Sequence, residues 1–273
     1  MKIKVLVENT SISKDIKSKH GLSVYLETSK HKILFDLGGN GLFVKNAEKM
    51  GVDIGSADTV VISHGHVDHG GGLKHFLALN NTAKIYIRKS GFDNHFIKVL
   101  GLPINVGLDK KLQSNNQIVF TDELAEIDEE LTLFSNVNKD GFDTRSNGVL
   151  YAKRDGALVQ DDFSHEQNLI VKEGGKTLLL SGCSHAGIVN ILNKAEEIAG
   201  GEIDTIIGGF HLYNPPTKKY ESTELIESLS MALNEKQGKF YTCHCTGAKA
   251  FEQMKNTLGD RLCGLSAGAE IEL

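Results

Sequence analysis

The chain opens with Ile3, Val5 and Val7 alternating with other residues, the period of two expected of a strand. Apolar runs over 22–28 and 31–36, with the polar stretch TSKHK between them, predict two further strands joined by a tight turn. An amphipathic helix is expected over about 41–50, then a strand at ADTVVIS (57–63), a short helix at GGLKHFLALN (71–80) and a strand at AKIYIRK (83–89). Residues 91–148 lose this rhythm, and an irregular insertion or lid is expected there. It returns with QNLIVKE and KTLLLSG, a hairpin turned by two glycines. A helix over 185–200, a strand over 203–209, a mostly helical segment over 217–238, a strand over 239–245, a helix over 247–259 and a closing strand over 263–273 complete the pattern. Strands come first and then alternate with helices, which predicts a layered α/β fold with mixed sheets.

Composition narrows the picture. At 273 residues, 40% hydrophobic and 24% charged, with three prolines and no linker-like tract, the chain reads as a single domain over 1–273. A formal net charge of −5 argues against a broad nucleic-acid footprint. No secretory leader and no apolar run of about 18 residues is seen, so no membrane partner is expected. The four cysteines then predict free thiols in a reducing, cytoplasmic setting.

The chemistry gathers at strand ends. TVVIS runs into His64, His66 and His69; TLLLSGCS into His185; DTIIGGF into His211; KFYTC into His244. Strand ends along one sheet edge lie close in space, and ligands of open α/β sheets bind there. Histidines converging from separate segments suit zinc, iron or another transition metal. Taken singly, His185 or His211 is more often a core or surface residue. The run HGHVDH changes that weighting. His64 and His66 share a face in extended backbone, while Asp68 and His69 follow on a turn, within reach of a second ion. The chain lacks a C-x-x-C pair, and a carboxylate-containing, histidine-rich set is more typical of a catalytic than a structural metal site.

HGHVDH after an apolar strand resembles the signature of the metallo-β-lactamase superfamily. More narrowly, ILFDLG, SHGHVDHGGG, SGCSHAGIVNIL, GGFHL and CHCTG resemble a subfamily labelled as dihydropterin-ribofuranosylaminobenzene-phosphate synthase. The resemblance implies an αββα four-layer sandwich with a dinuclear metal site at one edge of its two sheets. It implies His64 and His66 as ligands of a first ion, and Asp68, His69 and His244 as ligands of a second. Gly182-Cys183 stands where the superfamily carries a bridging aspartate. Cys183 as a thiolate ligand, His185 two residues on, or His165 upstream can complete the set. Asp36 is implied as a carboxylate bracing the metal loop, or else forms a turn. Cys243 and Cys245 face away from His244 if the strand continues through them, and are expected to pack as small apolar residues.

The activity this implies is metal-assisted hydrolysis of a small, phosphorylated substrate, a phosphoester or related bond, by a metal-activated water. The cofactors are two divalent ions, zinc being favoured with manganese or iron as alternatives. Asp68 would bind metal and orient the nucleophile. His211 would donate a proton or hold an oxyanion. Lys139, Arg145, Lys218 and Lys219 are phosphate contacts or plain solvated charges. Two other classes stay open. One is a transferase of the kind the subfamily label describes, condensing a pterin diphosphate with a ribosyl-aminobenzene phosphate. The other is a non-catalytic metal or ligand sensor.

Overall fold

A computed structural model describes residues 1–142 and 144–273. Two seven-stranded sheets carry the architecture. The first orders its strands Glu270–Glu272, Lys2–Val7, Ser23–Glu27, Lys32–Phe35, Thr59–Val61, Lys84–Arg88 and Ile118–Thr121. The second runs Leu262–Gly264, Lys239–Thr242, Thr205–Gly208, Lys176–Leu180, Gln167–Glu173, Leu131–Ser135 and Leu124–Glu126. Alternation along the strands sorts side chains into three cores. Ile3, Val5, Val24, Phe35 and Val61 meet Leu133, Leu169, Leu178, Leu180 and Ile207 between the sheets. Leu34, Val60 and Ile85, one residue out of phase, pack outward against Phe43 of helix Leu42–Lys49 and Phe76 of helix Leu73–Leu77. On the far side Ile170, Leu179, Ile206 and Phe240 pack on helices Ile188–Ala199, Thr223–Asn234 and Ala248–Leu258. The result is the expected αββα sandwich. Each central strand is buried on both faces, which is why its sequence reads as a near-continuous apolar run.

Strand direction positions the site. Lys32–Phe35, Thr59–Val61 and Lys84–Arg88 run parallel, as do Lys176–Leu180, Thr205–Gly208, Lys239–Thr242 and Leu262–Gly264. Their carboxyl ends lead into Asp36, His64, Cys183, His211 and His244. The hairpin at 173–176 turns through Gly174 and Gly175, both at positive φ, as a two-residue turn of primed type requires.

Three segments differ from the sequence pattern. The expected closing strand is two strands, Leu262–Gly264 in the second sheet and Glu270–Glu272 in the first, with Gly268 at φ +92° where the chain crosses over. The strand expected to 245 stops at Thr242, and His244–Thr246 is a 3-10 turn. Between 91 and 148 the chain forms Ile118–Thr121, Leu124–Glu126 and Leu131–Ser135, which extend the two main sheets, and the hairpin His95–Val99/Leu102–Asn105. That hairpin joins Leu150–Arg154 and Ala157–Gln160 in a separate four-stranded sheet. Among the described residues, no helix is long and apolar enough to cross a membrane.

At the end opposite the histidines, His31 ties the sheets together. Its Nδ1 lies 3.1 Å from Asp58 Oδ1 beside the first sheet, and its Nε2 lies 2.6 Å from Asp128 Oδ2 in the turn before Leu131–Ser135. Partial burial works against charge on His31, but the two carboxylates outweigh it and its pKa is raised. That of Asp128 is lowered, its backbone N–H donors and His31 outweighing its own burial. A raised histidine contributes stability fully below its unfolded pKa of about 6.5 and loses it as pH rises through the folded value. The lowered Asp128 contributes above about pH 4 and fails below it. Solvent screens this partly exposed pair, so His31→Ala is expected to cost about 0.5–1 kcal/mol at pH 6. The deficit should shrink by pH 9 in urea unfolding; a deficit that grows with pH would contradict the ion pair.

Candidate metal centre

The loop after Thr59–Val61 hangs on one carboxylate. Asp36 is fully buried at the end of the neighbouring strand, with φ +59°. Its Oδ1 accepts the Ser63 N–H at 2.7 Å. Its Oδ2 accepts the Ser63 hydroxyl at 2.7 Å and meets His69 Nδ1 at 2.6 Å. The aspartate is thus both the turn residue and the brace that the sequence offered as alternatives. His66 then precedes the short helix Val67–Gly70, which carries Asp68 and His69. Gly182 brings the second sheet up close: a Cβ there would lie 2.2 Å from Ser63 Oγ and 3.1 Å from His64 Nδ1.

The hydrogen bonds fix the tautomers. Ser63 spends its proton on Asp36, so it accepts from His64 Nδ1 at 2.9 Å, leaving His64 Nε2 with a lone pair. His69 Nδ1 donates to Asp36, His185 Nδ1 to Asn147 Oδ1 at 2.9 Å, and His244 Nδ1 to Asn9 Oδ1 at 3.1 Å. The Nε2 atoms of these four rings therefore face inward. The Nε2 atoms of His64, His66 and His185 are buried and, among the described residues, unpartnered. These three rings stand 4.6–5.2 Å apart, centroid to centroid. Burial, aided by repulsion from neighbouring imidazoles, holds all three well below the ordinary histidine pKa, in the neutral form that ligates metals.

Beside this trio lies a second group. His69 Nε2 and His244 Nε2 face each other at 3.3 Å, with Cys183 Sγ 3.2 Å from His69 Nε2. Asp68 Oδ2 lies 3.3 Å from His244 Nε2 and 3.8 Å from His69 Nε2. Burial opposes charge on Asp68, but His69, His20 and His244 outweigh it and hold the carboxyl well below its usual range. Cys183 belongs to both groups: with His64 and His185, and with His69 and His244, its ligand atom falls within 4.8 Å of the others.

The structure thus brings together His64, His66, Asp68, His69, Cys183, His185, His211 and His244. His165 differs from them. Its Nδ1 accepts the Gly65 N–H at 2.9 Å and its Nε2 donates to Asp161 at 3.3 Å, so neither nitrogen is free. Cys245 does not pack away from the site as strand alternation predicted. Because the strand ends at Thr242, its Sγ turns toward the site, accepts the His211 N–H at 3.3 Å and donates to the Cys183 carbonyl at 3.5 Å. Cys243 does enter the core between the sheets.

A pocket of about 330 Å³ opens over these groups. His66, Asp68, Cys183, His185, His211, His244 and Cys245 line its floor. Val67, Ile97, Val106, Leu150, Tyr213, Pro215 and Pro216 form its walls, Ile97 coming from the hairpin at 95–105. Lys139, Arg145, Lys218 and Lys219 do not line it; Lys139 instead lies over the Phe163 ring at 4.7 Å.

Sequence reasoning missed the supporting groups. His20, half exposed at the pocket, sits 3.2 Å from Asp68 Oδ2 and packs on the His244 ring. Asn9 and Asn147 orient His244 and His185. Glu8 accepts the His244 N–H, and Glu166 accepts those of His185 and Ala186. None belongs to a spaced motif, although Glu8 follows the strand Lys2–Val7 and Glu166 precedes Gln167–Glu173, beside His165 in SHEQN.

Comparison with known proteins agrees with this geometry. Residues 19–158 match the family model described as Metallo-beta-lactamase superfamily. A solved structure described as a metal-dependent hydrolase of the beta-lactamase superfamily is 32% identical, with a TM-score of 0.86 over 100% of this chain and 99% of that one. An uncharacterized protein of Methanocaldococcus jannaschii is 26% identical over 92% of this chain and 93% of its own length. A second protein of that organism, named 7,8-dihydropterin-6-methyl-4-(beta-D-ribofuranosyl)-aminobenzene-5'-phosphate synthase, is 28% identical over 93% of this chain and 90% of its own length. With its histidine-bearing strand ends gathered at one edge of an αββα sandwich, the chain belongs to the metallo-β-lactamase superfamily.

Proposed function

We propose that the protein is a metal-dependent hydrolase acting on a small phosphorylated molecule. One observation carries the reading: His69 Nε2 and His244 Nε2 meet at 3.3 Å, beside a carboxylate oxygen and a thiol sulfur. A shared proton satisfies one such contact, whereas a metal ion satisfies them together. The free Nε2 atoms of His64, His66 and His185 support a second position next to it. In this reading His64, His66, His185 and Cys183 hold one ion, and Asp68, His69, His244 and Cys183 the other. The mixed nitrogen, oxygen and sulfur donors favour zinc over manganese.

Two bound divalent ions would supply Lewis-acid polarisation and a water of lowered pKa. The chain's own residues supply the rest. Asp36 and Ser63 fix the imidazole orientations, and outer partners of this kind tune ligand affinity. Asp68 orients the nucleophile. His211, whose two ring nitrogens are buried without a partner among the described residues, faces the pocket, where it holds an oxyanion or returns a proton to the leaving group. The apolar walls exclude water and accept a flat or apolar body. Because no lysine or arginine among the described residues lines the pocket, substrate phosphate would be met by the metal-ligand cluster itself.

A second reading, transfer onto a pterin diphosphate, is favoured by the name of the 28% identical relative. The apolar walls suit a planar ring in either case. Formation of the pterin–aminobenzene product from the two half-substrates would select the transferase over the hydrolase.

Replacing His64 and His66 together with alanine is expected to remove at least one equivalent of bound metal per chain by elemental analysis. It should also abolish turnover of chromogenic phosphomonoesters and phosphodiesters. Full activity in a metal-depleted double variant would sink the hydrolase reading. Asp36→Asn is expected to weaken metal binding by roughly 10–100-fold, the usual effect of removing an outer partner. Competition with a chromophoric chelator measures it, and unchanged affinity would remove Asp36 from the brace.

A further inference from the structure

Cys245 is left over from the two ligand groups, yet its surroundings are as specialised as theirs. It is buried, and the space for its sulfur exists only because residue 209 is glycine: a Cβ there would lie 2.5 Å from Cys245 Sγ. The thiol lies along the pocket floor with Cys183 and His211. The ligand atoms of Cys183, His211 and Cys245 all fall within 4.8 Å of one another. His211 is held at φ +50°, a conformation costly for a residue with a side chain, and both its ring nitrogens are buried and unpartnered among the described residues. Two polar atoms left in this state at one place call for a ligand, since burying them without one is unfavourable. The neighbouring sulfurs say which kind: thiolates select soft cations.

We propose that Cys183, His211 and Cys245 form a third coordination site, one nitrogen and two sulfurs, for a soft divalent cation such as cadmium or zinc. The site rests on the function proposed above only in sharing Cys183 with its ligand groups. As the cation enters, each thiol releases its proton to solvent and each sulfur takes up a bond to the ion. His211 contributes one ring nitrogen. Occupancy withdraws that imidazole from substrate, so this corner sets how much soft metal the pocket tolerates.

Cadmium itself is the probe, read by equilibrium dialysis and by sulfur-to-cadmium charge-transfer absorption in the ultraviolet. Wild type is expected to bind one cadmium more than Cys245→Ser, a near-isosteric change, and to show roughly twice the charge-transfer absorption, since one of two sulfur ligands is gone. His211→Gln should lose the same equivalent, which separates loss of the site from any particular effect of serine. The double variant His64→Ala/His66→Ala should still bind a cadmium that depends on Cys245, so this site can stand or fall apart from the histidine-held ions. Equal cadmium stoichiometry and equal absorption in wild type and Cys245→Ser would overturn the proposal, even with the other metal positions filled.

Discussion

The Asp36 carboxylate is the constraint from which the site is built. It is fully buried and would be costly as an isolated charge, yet it is balanced by the Ser63 N–H, the Ser63 hydroxyl and the His69 imidazole. Those three bonds set the path of the loop after the central strand. They also determine where protons sit: Ser63 can only accept from His64, and His69 can only donate through Nδ1. One buried carboxylate thereby fixes the orientation of two otherwise ambiguous imidazoles, before any ion is considered.

The same logic recurs on the opposite sheet with different parts. Asn147 and Asn9 use amide oxygens to fix His185 and His244, and Glu166 and Glu8 take the backbone N–H groups that the sharp turns expose. Ser184, His211 and His244 all adopt positive φ. Strain at three successive strand ends is affordable because the parallel strands before them are buried on both faces and hold the turns in place. Stability in the sandwich thus supports geometry at its edge.

Much of this was legible in the sequence, and the boundary of legibility is physical. Strands 59–61, 176–180 and 205–208 are buried on both sides, so their apolar runs mark both the strand and its end. His64, His185 and His211 could therefore be located by counting. Cys245 could not, because alternation was extended past Thr242, where the chain had already turned into a 3-10 helix. Of the strands at 95–105, Leu102–Asn105 is an exposed edge and His95–Val99 is fully buried only at His95, so neither carries an apolar period. The split of the closing strand depends on one glycine, Gly268, whose φ no pattern encodes. His20, Asn9 and Asn147 act through contacts to residues far away in the sequence, which only folding brings together.

The centre also straddles a seam. His64, His66, Asp68 and His69 ride on the first sheet, while Cys183, His185, His211 and His244 ride on the second. The two are joined by an oily interlayer that resists separation. Registry between the sheets therefore sets the bite of the ligands. The segment 262–272, which belongs to one sheet at its start and the other at its end, acts as a strap against sliding. A mutation in that strap, remote from every donor atom, would change the site as a misaligned hinge changes the closing of a jaw.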